Sequence, residues 1–276
     1  MEKFKGISLT DKQIERLTHH YGQVLECLPE EIVPSTASDE EPVYAMMDGS
    51  MILIRGQGWK EIKLGRIFPE SACYQDKKRG CIAKSTYIAH LGDHQAFLEK
   101  FDQHMVAKKQ VVALGDGARW IWDYWTSYYP AAIQILDYYH LVEKIGLWAV
   151  LVLKEENQRK DWLTLCEKLL LNNEAIEVEV MIKSIDCQGD KKKKQDQLLT
   201  YLTHNKNRIN YKTYLQQGLF IGSGAMESAN REVVQKRMKL SGQRWTQEGA
   251  QQVANLRVTF KNNHWHKLIQ QIKMAA

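Results

Sequence analysis

Four acidic side chains stand at positions where ordinary packing would not place a charge. Asp48 interrupts a mostly apolar run, Asp116 and Asp137 each end a short apolar run, and Glu227 follows the glycine-rich segment 221–224. In an open α/β sheet, the carboxyl ends of the strands and the adjacent helix starts meet at one crevice. Carboxylates gathered there stay ionised only beside a cation, and Mg²⁺ prefers oxygen ligands and supports phosphoryl transfer. The four acids together therefore predict a metal-supported site for phosphodiester chemistry.

Each acid also has an ordinary structural explanation. Asp48 could be a turn residue, and Asp116 and Asp137 could be N-caps of the helices that follow them. Glu227 could be a carboxylate that the helix dipole favours in a first turn. Taken singly, each residue fits its structural explanation; their shared position at strand and helix ends favours a site.

The elements that must position these acids follow a β-β-β-α-β-α-β-α order. Apolar runs predict strands at 43–55, 59–68, 85–91, 111–114 and 132–136, with helices at 95–106, 118–128 and from 138 onwards. Both Asp48-Gly49 and the glycines at 56–58 favour a hairpin turn. We place the turn at 56–58, because it gives two strands of similar length, and Asp48 then lies inside a strand. The order predicts an α/β fold with a mixed sheet, whose first three strands are antiparallel and whose later strands are parallel.

Helical periods alone fill residues 154–217, which we expect to form an all-helical insertion before the helix that carries Glu227. That helix is predicted at 225–240, and more helix follows at 247–261. The expected organisation has four parts: an N-terminal helix and Pro-rich linker (1–42), the first part of the core (43–153), the helical insertion (154–217) and the Glu227 helix with basic C-terminal helices (218–276).

Composition and charge narrow the class of protein. The chain has 276 residues, of which 44% are hydrophobic and 26% charged, as in globular proteins. The net charge of +5 is uneven: residues 1–150 carry a net charge of −3, and residues 151–276 carry +8. Such asymmetry suggests a polyanionic partner, although a mild basic excess also occurs in proteins that never contact nucleic acid.

Several classes are excluded by sequence pattern. The longest apolar run, 145–153, is about half the length that a membrane-spanning helix needs, and the N-terminus has no apolar region typical of a secretory signal. The five cysteines include no C-x-x-C pair, which argues against a disulfide framework or a zinc site. We therefore expect a cytoplasmic protein with reduced thiols and no membrane contact.

Short motifs follow one another along most of the chain. They are Asp48-Gly49, Gly115-Asp116-Gly117-Ala118 with Trp120-Ile121, Ile135-Leu136-Asp137-Tyr138-Tyr139-His140, Ile221-Gly222-Ser223-Gly224-Ala225-Met226-Glu227-Ser228, and Arg237-Met238-Lys239 with Gly242 and Trp245. Their order and spacing resemble the DDE transposases of bacterial insertion sequences, most closely the ISKra-type group, relatives of the Mutator-like superfamily. The resemblance covers nearly everything from residue 43 to residue 261.

This resemblance implies an RNase H-like catalytic core that cleaves DNA strands and transfers them. Asp48, Asp116 and Glu227 would be its metal-binding triad for Mg²⁺ or Mn²⁺. The long interval between Asp116 and Glu227 would hold the helical insertion that such transposases carry. The partners implied are the ends of the insertion sequence and the target DNA, bound by a homo-oligomer in the bacterial cytoplasm, associated with the nucleoid.

The superfamily carries a C/D-x-x-H motif after the second aspartate, and residues 137–140 match it. Residues i and i+3 of a helix share a face, so His140 could lie on the same side as Asp137 and contact a scissile phosphate or stabilise a flipped base. A structural pairing of His140 with Asp137 fits the sequence equally well.

A basic segment after Glu227 is the candidate DNA-binding surface. Its members are Arg231, Lys236, Arg237, Lys239 and Arg244, with Trp245 among them. Cations on one helix can neutralise phosphates, and an aromatic side chain can stack on an unpaired base. The alternatives are an ordinary i, i+4 pair of Glu227 with Arg231, and a core position for Trp245.

The sequence departs from the family at its N-terminus. Members generally carry a longer region there, including a helix-turn-helix that recognises element ends, whereas here only the helix at 7–28 and the linker precede the core. A truncated copy, or one half of a split frame, is the expectation. Two rival functions stay open: a catalytically silent remnant that only binds DNA, and an RNase H-like nuclease without strand transfer.

Overall fold

The computed structural model describes residues 8–27, 41–76, 79–105 and 110–275. One helix precedes the first strand, and helices fill most of the later part of the chain. The strands are β1 (Val43–Ile54), β2 (Gly58–Pro69), β3 (Cys73–Asp76), β4 (Arg79–Ile82), β5 (Thr86–Leu91), β6 (Val111–Gly115) and β7 (Ile133–Leu136). The helices are α1 (Asp11–Cys27), α2 (His94–Gln103), α3 (Arg119–Tyr128), α4 (Tyr138–Val152), α5 (Glu156–Leu171), α6 (Ala175–Lys183), α7 (Gly189–Asn205), α8 (Tyr211–Gln216), α9 (Gly224–Asn230), α10 (Lys236–Met238), α11 (Gln247–Lys261) and α12 (Trp265–Ala275).

The chain divides into two units, one made of residues 1–110 with 225–276 and the other of residues 111–224. The first unit contains β1, β2 and β5 as antiparallel neighbours, and the second contains β6 and β7 as a parallel pair. The chain is therefore of the α/β class, with both antiparallel and parallel strands, as predicted. No helix in the described ranges is long and apolar enough to cross a membrane.

The β1–β2 hairpin confirms the predicted turn. Gly56 and Gly58 both have positive φ, which glycine adopts without strain, and the Gln57 N–H donates to the Ile54 carbonyl at 3.2 Å. Asp48 pairs with Leu64 in the register of the two strands, well inside β1. The alternative turn at Asp48-Gly49 is wrong.

The core of the first unit lies against β1 and β2. Both strands are buried along much of their length, and their large apolar side chains include Tyr44, Met46 and Leu64. Helix α2 packs against Gly65, where an added Cβ would lie 2.6 Å from the ring of Phe101. A side chain at Gly65 would therefore push α2 away from the sheet.

A short hairpin of β3 and β4 was not predicted. These strands pair antiparallel, with Tyr74 opposite Cys81, and Tyr74 is exposed. Because the ribbon has few buried side chains, its sequence shows no apolar alternation of the kind that identifies a half-buried strand.

The second unit begins with a β6–α3–β7 crossover. Its parallel register runs from Val112 opposite Ile133 to Gly115 opposite Leu136. Helices α5 to α8 occupy the interval 154–217, and no residue of that interval is in a strand. The prediction of helix alone in this interval is confirmed.

Candidate catalytic carboxylates and nucleic-acid surface

Asp48 is a half-buried carboxylate held at both of its oxygens within the first unit. Its Oδ1 accepts the N–H of Gly49 at 2.7 Å, and its Oδ2 accepts from Nδ2 of Asn230. A carboxylate oxygen accepts hydrogen bonds at its lone pairs, so these bonds fix the orientation of the group. The carboxylate is thus oriented by its own strand and by α9.

Asn230 links Asp48 to the helix that carries Glu227. Asn230 is buried, whereas Glu227 is exposed in the first turn of α9. The two are at i and i+3, so they share a face of the helix. Two of the three predicted metal ligands, Asp48 and Glu227, therefore belong to elements that are directly hydrogen-bonded to one another.

Arg66 holds the start of α9 by a hydrogen bond. It is 5% exposed, its Nε donates to Ser85 Oγ at 3.0 Å, and its guanidinium donates to the Ala225 carbonyl at 2.6 Å. Burial lowers the pKa of Arg66, and the rings of Phe68 and Tyr87 lie 5.4 and 5.1 Å from its central carbon. A buried cation without a carboxylate partner among the described residues thus fixes the backbone two residues before Glu227.

Helix α9 does not continue as a regular α-helix. Residues 231–235 form a π-helical turn before α10, so the predicted single helix at 225–240 is interrupted and ends at Met238. Val233 and Val234 are buried on this segment, whereas Arg231 is exposed. Such π turns inside helices occur frequently at functional sites.

The basic residues after Glu227 are all exposed in the first unit. Lys236 pairs with Glu232 at 2.5 Å, which lowers the pKa of Glu232, and Lys239 Nζ lies 3.4 Å from Ser50 Oγ. Arg244 is also exposed. Contact of this basic segment with DNA stays a prediction.

Trp245 is held in place by hydrogen bonds of its backbone and of its indole. Its backbone N–H donates to the Leu53 carbonyl at 3.0 Å, its carbonyl accepts the Arg55 N–H at 2.8 Å, and its indole N–H donates to the Met238 carbonyl at 2.9 Å. Arg237 lies over the ring, 5.5 Å from its centroid. The half-buried indole fits the structural interpretation of Trp245.

Asp116 lies directly after β6 in the second unit. Its Oδ1 accepts the N–H of Ala118 at 3.0 Å, two residues on, whereas the N-cap of α3 is Ala118 itself. The N-cap interpretation of Asp116 is therefore wrong. Tyr201 donates its hydroxyl to the Asp116 carbonyl at 2.7 Å, and an added Cβ on Gly117 would lie 2.6 Å from that hydroxyl.

Asp137 is the N-cap of α4, as the structural interpretation predicted. It is 3% exposed and accepts the N–H groups of Tyr139 and His140 at 2.9 and 3.3 Å, together with the hydroxyl of Ser223. The His140 imidazole instead lies 3.6 Å from Glu143. His140 thus joins the cap through its backbone and not through its side chain, and a catalytic role for either residue stays a prediction.

Comparison with protein-family models and with curated proteins gave no match. The resemblance to transposases therefore stands on the motifs alone. Asp48 and Glu227 belong to the first unit, whereas Asp116, Asp137 and His140 belong to the second. Across the described ranges, no group of three or more His, Cys, Asp or Glu side chains is arranged to hold a metal ion.

The sequence assigned no role of its own to four residues that support the acids: Asn230, Arg66, Tyr201 and Ser223. The sequence does contain a signal for Arg66, because the residues around it in β2 are apolar. Burial raises the pKa of Tyr201, and the charges of Asp116 and Asp137 raise it further. Nothing in the sequence around Asn230 or Tyr201 marks them, since their partners lie far away along the chain.

Proposed function

We propose that this chain is the catalytic domain of a DDE-type transposase with an RNase H-like core. It would cleave and transfer DNA strands with Mg²⁺ or Mn²⁺ bound by Asp48, Asp116 and Glu227. The observation that carries the proposal is the hydrogen bond from Asn230 to Asp48. It joins a carboxylate inside an antiparallel strand to the helix that bears the candidate catalytic glutamate.

The donor set fits such an ion in its chemistry. All three side chains are carboxylates, and hard divalent cations prefer oxygen ligands. Asp48 and Asp116 are half-buried and Glu227 is exposed, so none of them is sealed from solvent. The ion, when bound, would activate a nucleophile and stabilise the leaving oxygen.

The protein's own residues would hold and orient these ligands. Asn230 and the Gly49 N–H fix the Asp48 carboxylate, and Arg66 fixes the backbone before Glu227. Tyr201 and the Ala118 N–H hold the loop of Asp116. Pre-orientation of ligands by such secondary contacts is what a metal site requires.

The exposed cations of the basic segment supply the proposed DNA contact. Arg231, Arg237, Lys239 and Arg244 have no carboxylate partner in the part of the chain that the structure describes, whereas Lys236 is paired with Glu232. Unpaired exposed cations can release counterions from DNA phosphates, which gives affinity that falls with salt. DNA would thus bind through this surface independently of the metal.

The test separates catalysis from binding. Asp116→Asn keeps the shape but removes the charge that binds the ion, so Mg²⁺-dependent nicking of a labelled duplex should vanish while DNA affinity is unchanged or slightly higher. Arg237→Ala with Lys239→Ala should weaken binding and reduce the salt slope of log K by about two. Asp123→Asn is the matched control, because Asp123 is an exposed acid on α3 that pairs with the exposed Arg119.

Normal nicking by Asp116→Asn would overturn the catalytic assignment, and an unchanged salt slope in the double variant would overturn the DNA surface. Cleavage by the wild-type chain without joining of the cut end to a target duplex would favour the nuclease alternative. Binding with no metal-dependent cleavage at all would favour a silent remnant.

A further inference from the structure

A cleft lies at the tip of the β1–β2 hairpin, within the first unit. It encloses about 710 Å³ and is lined by Leu53, Ile54, Arg55, Gly56, Gly58, Gly242 and Arg244. We call it the hairpin-tip cleft. Two backbone hydrogen bonds of Trp245, one with Leu53 and one with Arg55, hold the segment of Arg244 beside the end of β1. Two arginines far apart in sequence are thereby fixed at one opening.

The hairpin-tip cleft is bordered by cations without acids. Neither residues 51–60 nor residues 236–247 contain an Asp or Glu. Arg55, Lys60 and Arg244 are exposed, and Arg55 and Arg244 have no carboxylate partner among the described residues. The nearest acid along the hairpin, Glu61, is already paired with Lys63 at 2.9 Å. This local charge favours an anionic ligand.

An exposed tryptophan stands beside these cations. Trp59 is 62% exposed and lies directly opposite Leu53 in the hairpin register. Directly opposite residues project to the same face of a sheet, and the buried Ile52 and Ile54 show that the other face points into the core. Trp59 therefore projects on the same face of the hairpin as Leu53, away from the core.

The cleft also leaves its backbone open. Gly242 has φ of 75°, and an added Cβ there would meet nothing within 4 Å. The same holds at Gly56, with φ of 70°. A ligand can thus approach the main chain at both walls of the cleft without displacing a side chain.

We infer that the hairpin-tip cleft binds the sugar–phosphate backbone of DNA, with Arg55 and Arg244 on its phosphates and Trp59 stacked on an unpaired base. An exposed indole beside unpaired guanidinium groups is the combination that binds single-stranded nucleic acid, since every base presents a face for stacking. The inference rests on the proposed function for its partner, DNA, and extends the contact surface from the basic segment to the hairpin. The half-buried Trp245 then has a structural role next to the cleft, and Trp59 is the residue that stacks on the base.

Binding is measured by fluorescence anisotropy in buffer with EDTA, so that no cleavage occurs. Two probes are used: a fully paired duplex, and the same duplex with a single-stranded extension that carries 2-aminopurine. Trp59→Ala should weaken binding of the extended probe by about 5- to 100-fold and abolish the quenching of 2-aminopurine, while leaving the paired duplex nearly unaffected. Arg55→Gln should weaken both probes and lower the salt slope by about one.

Matched controls exist on other elements of the same unit. Arg16→Gln removes an exposed guanidinium from α1, and Trp265→Ala removes a 41% exposed indole from α12. Both should leave affinity and salt slope unchanged. Urea unfolding of each variant confirms that the exposed substitutions leave the fold intact.

The outcomes separate this inference from the proposed function. Wild-type affinity in Arg55→Gln and Trp59→Ala, together with weakened binding in the double change at Arg237 and Lys239, would overturn the hairpin-tip cleft and leave the basic segment as the DNA surface. Failure of the wild-type chain to bind either probe would overturn DNA as the partner and both proposals with it. Loss of quenching in Trp59→Ala alone supports the stacking role directly.

Discussion

Replacement of Asn230 by aspartate probes the contact on which the proposed site depends. Asn230→Asp keeps the size of the side chain but places a second carboxylate against Asp48, where the amide now donates a hydrogen bond. The structure predicts a loss of stability that grows as both carboxylates ionise.

The magnitude follows from two contributions. Loss of a hydrogen bond to a charged acceptor costs about 1.5–3 kcal/mol. Two carboxylates about 4 Å apart repel by about 4 kcal/mol at an effective dielectric constant of about 20, an upper figure for the half-buried Asp48. We expect Asn230→Asp to lower the free energy of unfolding by about 3–6 kcal/mol at about pH 8, against about 1–3 kcal/mol for Asn230→Ala.

The assay is urea unfolding followed by tryptophan fluorescence in buffer free of divalent ions. The difference between the aspartate and alanine variants should shrink as the pH falls to about 4, because one proton shared by the two carboxylates removes the repulsion. Gln235→Glu is the control: it adds one negative charge at an exposed position of the same helical segment and should change stability by about 0.5 kcal/mol at most.

Equal stability of the aspartate and alanine variants at about pH 8 would refute the reasoning. It would mean that Asp48 does not lie against Asn230, and the link between β1 and the helix of Glu227 would be lost. If Gln235→Glu lowered the free energy of unfolding as much as Asn230→Asp, the cause would instead be a general effect of charge on this helix.

Two further predictions concern the second unit. Tyr201→Phe removes the hydrogen bond from the hydroxyl to the Asp116 carbonyl and should lower the free energy of unfolding by about 1 kcal/mol. Because burial raises the pKa of Tyr201, the wild type should also lose stability as the pH rises above about 10. In urea unfolding at about pH 11, the variant should therefore lose less stability than the wild type. An equal loss in both proteins would contradict this. Ser223→Ala removes a donor from the buried Asp137 and should cost about 1–3 kcal/mol, whereas Ser241→Ala, at an exposed position, should cost almost nothing in the same assay.

Local patterns were sufficient to predict much of the fold. The hairpin of β1 and β2 follows from apolar runs on either side of Gly56 and Gly58, and the helices between 154 and 217 follow from their period. The cap at Asp137 follows from its position just before a helical run. Each of these features depends on residues within a few positions of one another, which is why the chain alone indicates them.

Other predictions failed although the residues concerned lie close together in sequence, because the same local pattern fits more than one geometry. Asp116 looked like an N-cap, but its carboxylate bonds to Ala118, the residue that is itself the cap of α3. The ribbon of β3 and β4 buries too little to leave an alternating pattern. The sequence does not predict the π turn at 231–235 either, since its residues also suit a regular α-helix.

The sequence by itself determined the α/β class, the order of β1, β2, β5, β6 and β7 with the helices between the last three, and the positions of the candidate acids. Tertiary structure decided what holds those acids: Asn230 reaches Asp48 from the other end of the chain, and Arg66 reaches Ala225. It also decided that Arg55 and Arg244 share one cleft. Local periodicity records only which face of an element is buried, whereas a hydrogen bond between distant residues depends on how the elements pack, and no short stretch of sequence encodes that.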